Sequence, residues 1–353
     1  MAHVATITID HTKVPGDLTD YVGLIVPDGS AGYAALYALC LEGGGDIRLF
    51  KSDDTTEIAR EIVTFSVSAE TGEIHYRYAG TLSSSVDTDI HVYADGSSSE
   101  PAATATYGSE AVWADYVGVW HMQESSGSIG DSTGNGLTGT ALGTPVYSQS
   151  GPFGKAIEID KSSDEGFGVS YDPILNLTNT WSIQGWFFVT SYESNKSVLM
   201  GRGFSGSNVT YALGFESPSP SYNFNSGFYD GTWRNAFGSG SADTWSKITG
   251  TYDGSTIRTY VNDATVATLS RSASALSSTR DFGIGRRVDW SNSNTQGMSG
   301  KLREIRIRDS KLPANDIETE YNNQNSYSTF YSEAAVAGSS AAQAARRGVI
   351  MMM

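Results

Sequence analysis

The 353-residue sequence has little cysteine, little positive charge and few long apolar segments. The single cysteine, Cys40, excludes an intramolecular disulfide framework, and its place in the apolar run AALYALCL predicts a buried, inert thiol. Lys and Arg number 23 against 39 Asp and Glu, which gives a net charge of −16. This charge repels phosphate backbones and anionic membrane surfaces, so we expect neither nucleic acid nor membrane as a partner.

The sequence also lacks secretory and membrane-spanning signals. The first residues, MAHVATITIDHT, have neither the basic region nor the apolar stretch of a signal peptide, and no segment approaches the ~20 apolar residues of a membrane helix. We therefore expect a protein made without a signal peptide in the cytoplasm. A virion component released by lysis agrees with this expectation. A sequence with its signal trimmed would look the same, although Met1 argues against trimming.

Glycine, small polar residues and tyrosine dominate what is present, a composition that suits short strands joined by tight turns and predicts an all-β fold. In residues 1–97, alternating segments such as VATITI, EIVTFSVS and DTDIHVYADG predict an N-terminal β-sandwich. Residues 98–112 are small, polar and contain proline, so we predict a linker there.

A second β module is predicted at 113–325, with one helix near 313–323, where Pro313 suits the first turn. The remaining residues, 326–353, are Ala-rich and end in VIMMM after the basic pair Arg346-Arg347. Such a segment has too little apolar surface to fold alone. We therefore predict an assembly tail that docks on another subunit of a homo-oligomer, and we expect both modules to fold without it.

The second module resembles a known family in the order of its motifs. WHMQESSGSIGDSTGNGLTGT, GKAIEI, TWSIQGWFFV, TWSKITGTYDGSTIRTYVN and GKLREIRIRDSKLPANDIETEY follow one another as in laminin-G-like, concanavalin A-like jelly rolls. The first module resembles an uncharacterised β domain that often precedes such jelly rolls in bacterial and phage surface proteins. In that domain the last strand often ends in a Tyr-Tyr-Gly-Asn-like turn, where this sequence has Tyr93-Ala94-Asp95-Gly96.

The resemblance also defines a test for catalysis, because some jelly rolls of this type are glycoside hydrolases with a Glu-x-Asp-x-x-Glu pattern on one strand. The nearest match, Glu158-Ile159-Asp160-Lys161-Ser162-Ser163, lacks the final Glu, and EIRIRD lacks the middle Asp. A closely spaced carboxylate pair is needed for that chemistry. The five histidines share no ligand spacing along the sequence. We therefore predict that the protein is not an enzyme.

Four residues are candidates for carbohydrate binding, because a sugar ring presents apolar faces to aromatic side chains and polar edges to amides and Arg. They are Tyr229, Trp233 and Arg234 in GFYDGTWRNAF, and Trp290 in RRVDWSNSN. The alternative is that Tyr222, Phe224 and Trp233 face the core of the sandwich.

The loop GDSTGNG contains candidate metal ligands. Asp131 and Asn135 offer oxygen atoms to Ca²⁺, an ion that accepts flexible geometry and is common in the family that the module resembles. The alternative is that both side chains form turns, with Gly134 and Gly136 supplying positive φ angles and no metal.

Together these observations predict a non-enzymatic virion or surface structural protein, a capsid- or tail-attached appendage with a lectin-like module for host glycan adhesion or decoration. Its expected partners are other virion or surface subunits and glycans. The alternative is an accessory carbohydrate-binding module of a secreted glycan-degrading system.

Overall fold

A computed structural model of the chain describes residues 1–191, 195–203, 209–217, 222–288 and 297–336. Trp290, Arg346-Arg347 and VIMMM lie outside these residues. The chain divides into two compact units, one of Met1–Ala114 with the residues from Glu318 onward, the other of Asp115–Ile317. Both units are built mainly from strands, so the predicted all-β fold is confirmed.

The strands, numbered along the chain, are β1 (Ala2–Ile9), β2 (Leu18–Ile25), β3 (Arg48–Lys51), β4 (Glu57–Ser66), β5 (Thr71–Leu82), β6 (Thr88–Ala94), β7 (Gly118–Trp120), β8 (Gly139–Leu142), β9 (Val146–Ser150), β10 (Lys155–Ile159), β11 (Gly166–Val169), β12 (Trp181–Ser191), β13 (Asn195–Arg202), β14 (Tyr211–Ser217), β15 (Tyr222–Tyr229), β16 (Trp233–Gly240), β17 (Trp245–Tyr252), β18 (Thr256–Val261), β19 (Ala264–Ser270), β20 (Phe282–Ile284), β21 (Ser299–Arg308) and β22 (Tyr331–Ala335). The α-helices are α1 (Ala34–Leu39), α2 (Ser109–Val112), α3 (Ala314–Asn325) and α4 (Tyr327–Phe330). The helix predicted near 313–323 is confirmed as α3.

The first unit contains one antiparallel sheet with strand order β2-β5-β4-β3-β6-β1-β22. Its core is built by alternating apolar residues, because successive side chains on a strand point to opposite faces. Cys40 is buried in this unit, as predicted, and burial raises the pKa of its thiol to about 12.

The C-terminal part of the first unit differs from the predicted linear order of modules. β22 pairs antiparallel with β1, with Ala5 opposite Ala335 and Ile9 opposite Tyr331. Phe330 and Tyr331 are 1% and 3% exposed in the core of this unit. These two aromatic residues supply the apolar surface that the Ala-rich residues after them lack. Residues 318–336 therefore belong to the first unit, whereas the sequence predicts that they belong to the jelly roll and to an assembly tail.

The second unit is a sandwich of two antiparallel sheets. One has the order β19-β18-β17-β12-β21-β10-β9, with β7 paired to β21, and the other has the order β16-β15-β14-β13-β20-β11-β8. Side chains from both sheets form a single apolar core, which includes Trp181, Ile183, Phe187 and Val189 on one face of β12. Between the sheets, the Ser226 hydroxyl lies 2.7 Å from the Thr259 hydroxyl.

Within the described residues, no helix combines the length and the apolar character needed to cross a membrane.

Candidate functional site

The sheet that contains β13 to β16 buries one face in the sandwich core and presents the other outward. On β15, Phe224 and Phe228 are 1% and 0% exposed in the core. Because side chains alternate along a strand, Asn225 and Tyr229 lie on the outer face. Trp233 of β16 is the register partner of Tyr229 and therefore shares that face.

Small residues form the floor of this outer face. Ala212 pairs with Gly227, and Gly214 pairs with Asn225, between β14 and β15. A Cβ atom added at Gly227 would lie 2.1 Å from the Arg234 carbonyl oxygen, and one added at Gly214 would lie 2.8 Å from a backbone oxygen. Glycine is therefore required at both positions, and the larger side chains around them rise above the floor as walls.

Two adjoining cavities lie on this face, with volumes of about 260 Å³ and about 520 Å³. Glu216, Trp233 and Asn235 line both of them, so the two cavities lie next to each other. The smaller one also contains Asn225 and Tyr229 and approaches the size of small-ligand sites, which begins at about 300 Å³. Aromatic rings, amides and a carboxylate therefore converge on one open groove, hereafter the β13–β16 groove.

Exposed aromatic rings form one wall of the β13–β16 groove. Tyr229 and Trp233 meet edge to face, with ring centroids 5.9 Å apart and an interplanar angle of 73°. Trp233 is 43% exposed, and Phe237 on the same strand is 45% exposed. Four residues along a strand correspond to ~13 Å, so these two rings are spaced for a ligand longer than one sugar ring.

Arg234 lies at the larger cavity, where an ion-pair network holds its guanidinium. Its Nε donates to Asp230 Oδ1 at 3.1 Å, and Arg271 Nε donates to Asp230 Oδ2 at 2.6 Å. The Asp230 side chain is 4% exposed. Burial alone would raise the pKa of Asp230, but the hydrogen bonds from Arg234 and Arg271 hold that pKa below its ordinary value. Two cations share one anion here, so the network leaves one positive charge beside the groove.

The predicted carbohydrate-binding residues are partly brought together. Tyr229 and Trp233 line the same cavity, Arg234 lines the adjoining one, and Trp290 lies outside the described residues. The core alternative holds for Phe224 and fails for Trp233, while the Tyr222 side chain also lies outside the description.

Sequence reasoning missed Glu216, Asn225 and Asn235, which line the groove together with the predicted aromatic residues. The signal that would have found Asn225 was present, because Phe224 and Phe228 define the inner face of β15 and leave Asn225 on the outer one.

The candidate calcium loop shows the contacts expected of a turn. Asp131 Oδ1 accepts from the backbone N–H of Val119 at 3.1 Å and of Thr133 at 3.0 Å. Asp131 Oδ2 accepts from the Leu137 N–H at 3.0 Å. The side-chain amide of Asn135 donates to a backbone carbonyl at 3.0 Å. Both carboxylate oxygens therefore have protein donors, and calcium binding at this loop stays a prediction.

Asp131→Asn should separate the two interpretations of this loop. Compared with the Asp131 carboxylate, an Asn side chain has one acceptor oxygen fewer, and its NH₂ group would face backbone N–H donors. We therefore expect the variant to lose about 1–3 kcal/mol of unfolding free energy. A turn without metal predicts the same loss in chelator and in millimolar calcium. A calcium site predicts that the ion raises the melting temperature of the parent protein by mass action and leaves the variant unchanged. Thermal melts of both proteins under both conditions give the answer.

The carboxylates of the two near-matches to the glycosidase pattern make structural contacts. Asp160 Oδ1 accepts from the Ser162 N–H at 2.8 Å and caps a short 3-10 turn. Glu304 is 2% exposed and bonds to Arg306 at 2.8 Å and to His121 at 2.9 Å. The recorded contacts of both acids are therefore structural ones.

Comparison with known proteins identifies the class of the second unit. Residues 163–318 match the Laminin_G_3 family, described as the Concanavalin A-like lectin/glucanases superfamily. The second unit therefore contains a concanavalin A-like domain, and the predicted resemblance is confirmed for this part of the chain. A search of curated proteins finds no match.

Solved structures with detectable similarity include two domains that were solved as complexes. The binding domain of botulinum neurotoxin DC in complex with SialylT is 14% identical over 60% of this chain and 52% of its own, with a TM-score of 0.46. Domain 4 of AbnA, a GH43 extracellular arabinanase from Geobacillus stearothermophilus, in complex with arabinotriose, is 18% identical over 58% of this chain and 97% of its own, with a TM-score of 0.46. The chain thus spans about half the length of the toxin binding domain.

Proposed function

We propose that the second unit is a non-catalytic carbohydrate-binding module and that the β13–β16 groove is its binding site. One observation carries this proposal: Trp233 is 43% exposed beside Tyr229, in a cavity that also contains the side chains of Asn225 and Asn235. An aromatic ring matches the apolar face of a pyranose, and amide groups match its hydroxyls.

The groove selects the charge and length of its ligand. The protein carries a net charge of −16, so its overall field disfavours a polyanionic glycan even though Arg234 and Arg271 leave one positive charge beside the groove. Glu216 lines both cavities and is a suitable acceptor for an amino sugar. Trp233 and Phe237 stand ~13 Å apart on one strand, which favours an oligosaccharide that lies along β16. The ligand class is therefore a neutral or amino-sugar oligosaccharide.

At the level of the whole chain, the proposal is a virion or surface structural protein whose lectin-like module mediates glycan adhesion or decoration. The similarity of its first module to a β domain of bacterial and phage surface proteins supports this role, and subunits of the same particle are the expected partners. An accessory role in a secreted glycan-degrading system is the alternative. Antibodies against this chain should label intact particles if it is a virion or surface protein. An accessory module would instead be found in the culture medium, linked to a catalytic domain.

Trp233→Ala should weaken binding of a neutral oligosaccharide at least about tenfold, which corresponds to ~1.4 kcal/mol. The ring is exposed and lies outside the sandwich core, so the variant should melt at nearly the parent temperature. A glycan array identifies the ligand, and titration calorimetry measures the affinities of the parent and the variant.

Tyr107→Ala is the matched control for this experiment, because Tyr107 is an aromatic residue of the other unit that is 39% exposed. It should bind like the parent. An array dominated by sulfated or sialylated glycans, or equal affinities for Trp233→Ala and the parent, would contradict the proposed site.

A further inference from the structure

Two histidines far apart in the sequence lie side by side in the first unit. The ring centroids of His3 and His91 are 4.2 Å apart, with an interplanar angle of 30°. His3 is on β1 and His91 is on the adjacent strand β6, where the register places Tyr93 opposite His3. Side chains two residues apart on a strand point to the same face, so His91 shares the face of Tyr93. Because Tyr93 lies opposite His3, the imidazoles of His3 and His91 project from the same face of the sheet.

A tight turn brings a carboxylate to the same place. Asp54 lies between β3 and β4 with a left-handed φ of 57°, and its Oδ1 is 2.5 Å from His91 Nδ1. The hydroxyl of Tyr93 donates to the same oxygen at 2.8 Å. The Tyr93 ring stacks on His3 at 5.0 Å, with 15° between the ring planes. Tyr93 therefore orients both the carboxylate and one imidazole, as outer-shell partners of metal ligands do.

We propose that His3, His91 and Asp54 form a binding site for a divalent transition-metal ion, with Zn²⁺ as the ion of choice. One donor atom from each of the three side chains lies within 4.8 Å of the other two. Ligand atoms around tetrahedral zinc are separated by about 3.3 Å, as follows from metal–ligand distances of ~2.0–2.1 Å. Zinc binding would therefore require rotation of the three side chains to bring the donors to that spacing.

The donor set distinguishes this site from the Asp131 loop. Two imidazoles and one carboxylate suit zinc and its neighbours in the first transition row, whereas calcium and magnesium take oxygen ligands. The side chains of His91 and Asp54 are 15% and 51% exposed, so solvent reaches the site. Three protein ligands leave one position of a tetrahedral ion open for water or for a donor from a bound molecule. The ion would join β1, β6 and the turn after β3.

Titration of the full chain with zinc chloride tests this site. We expect saturable one-to-one binding in a calorimeter, and we expect His3→Gln and His91→Asn each to weaken it at least tenfold. In His91→Asn, the side-chain amide places an N–H near the position of the imidazole Nδ1. In His3→Gln, the amide places an N–H near the position of Nε2, the atom that contacts the Ala5 carbonyl oxygen at 3.0 Å. The substitutions therefore keep the hydrogen bonds and remove the imidazole ligands.

His11→Asn is the matched control. His11 Nδ1 contacts Asp87 Oδ1 at 2.6 Å, so His11 also forms an exposed His–Asp pair. The cluster of Asp10, His11 and Asp87 contains only one imidazole, whereas the proposed site contains two. The control should bind zinc like the parent protein. The proposal is overturned if the parent shows no saturable binding, if His11→Asn loses it, or if the His3→Gln/His91→Asn double variant retains the parent affinity.

A spectroscopic measurement on the parent protein covers the case in which a variant fails to fold. One equivalent of Co²⁺ should produce the intense visible bands of a four- or five-coordinate site with nitrogen ligands. The weak spectrum of hydrated Co²⁺ at that ratio would overturn the proposal without the use of any variant.

Discussion

Trp181→Ala should lower the unfolding free energy of the second unit by about 3–5 kcal/mol. Trp181 is fully buried at the start of β12, and its ring centroid lies 6.2 Å from that of Tyr211 and 6.0 Å from that of Tyr252. Its indole N–H has no hydrogen-bond partner among the described residues. The loss therefore comes from apolar burial and from the cavity that the ring leaves, because no hydrogen bond of the side chain is removed.

Trp245→Ala is the control for this measurement and corrects an expectation from the sequence. Both tryptophans begin strands with strong apolar alternation, and the pattern predicts the same loss of 3–5 kcal/mol for each. In the structure Trp245 is only partly buried, and its ring meets Phe188 at 5.8 Å on the outer side of the sheet. We therefore expect a loss of about 1 kcal/mol for Trp245→Ala. Denaturant unfolding followed by circular dichroism measures both variants, and a loss below ~1 kcal/mol for Trp181→Ala would be incompatible with its burial.

The tryptophan pair shows which part of a β fold can be predicted from sequence. Alternation identifies the residues that share a face: it groups Trp181, Ile183 and Phe187 on one face of β12, and the structure places that face in the core. It does not identify which face is covered, because that depends on the second sheet. For this reason the sequence left Trp233 between core and surface, and only the register with Tyr229 on the outer face of β15 decides it.

Clusters made by strand pairing were harder to predict than the strands. The five histidines share no ligand spacing in the sequence, yet the β1–β6 pairing brings His3 and His91 within 4.2 Å of each other. Glu216 and Asn225 reach the same cavity from two different strands. Both groupings depend on register between strands, and register is a property of the folded sheet that local residue patterns do not encode.

The C-terminal segment shows how composition averaged over a long window hides a local signal. Residues 326–353 are Ala-rich as a whole, but their first third contains Tyr327, Phe330 and Tyr331. The core of the first unit includes Phe330 and Tyr331, and the Tyr331 hydroxyl accepts a hydrogen bond from the Val26 N–H at 2.8 Å. The proposed assembly role therefore applies only to residues 337–353, which lie outside the described part of the chain.

Deletion of residues 326–353 should abolish cooperative folding of the first unit, whereas the sequence alone predicted that both modules would fold without them. The deletion removes β22, which covers one edge of β1, and it removes the buried rings of Phe330 and Tyr331. Truncation of a large buried aromatic residue costs about 3–5 kcal/mol, and two such losses reach the ~5–15 kcal/mol that stabilises a typical domain. The loss of the β1–β22 hydrogen bonds adds to this cost.

Deletion of residues 337–353 alone is the matched control, because it leaves β22 and both aromatic rings in place. In thermal melts followed by circular dichroism, this shorter deletion should retain two folded units, and the longer deletion should retain only the transition of the second unit, whose core is separate. Hydrogen exchange should show the same contrast in β1, with rapid exchange of its amides only after the longer deletion. If β1 stayed protected without residues 326–353, β22 would be an accessory to the first unit and its aromatic residues would contribute little to the core.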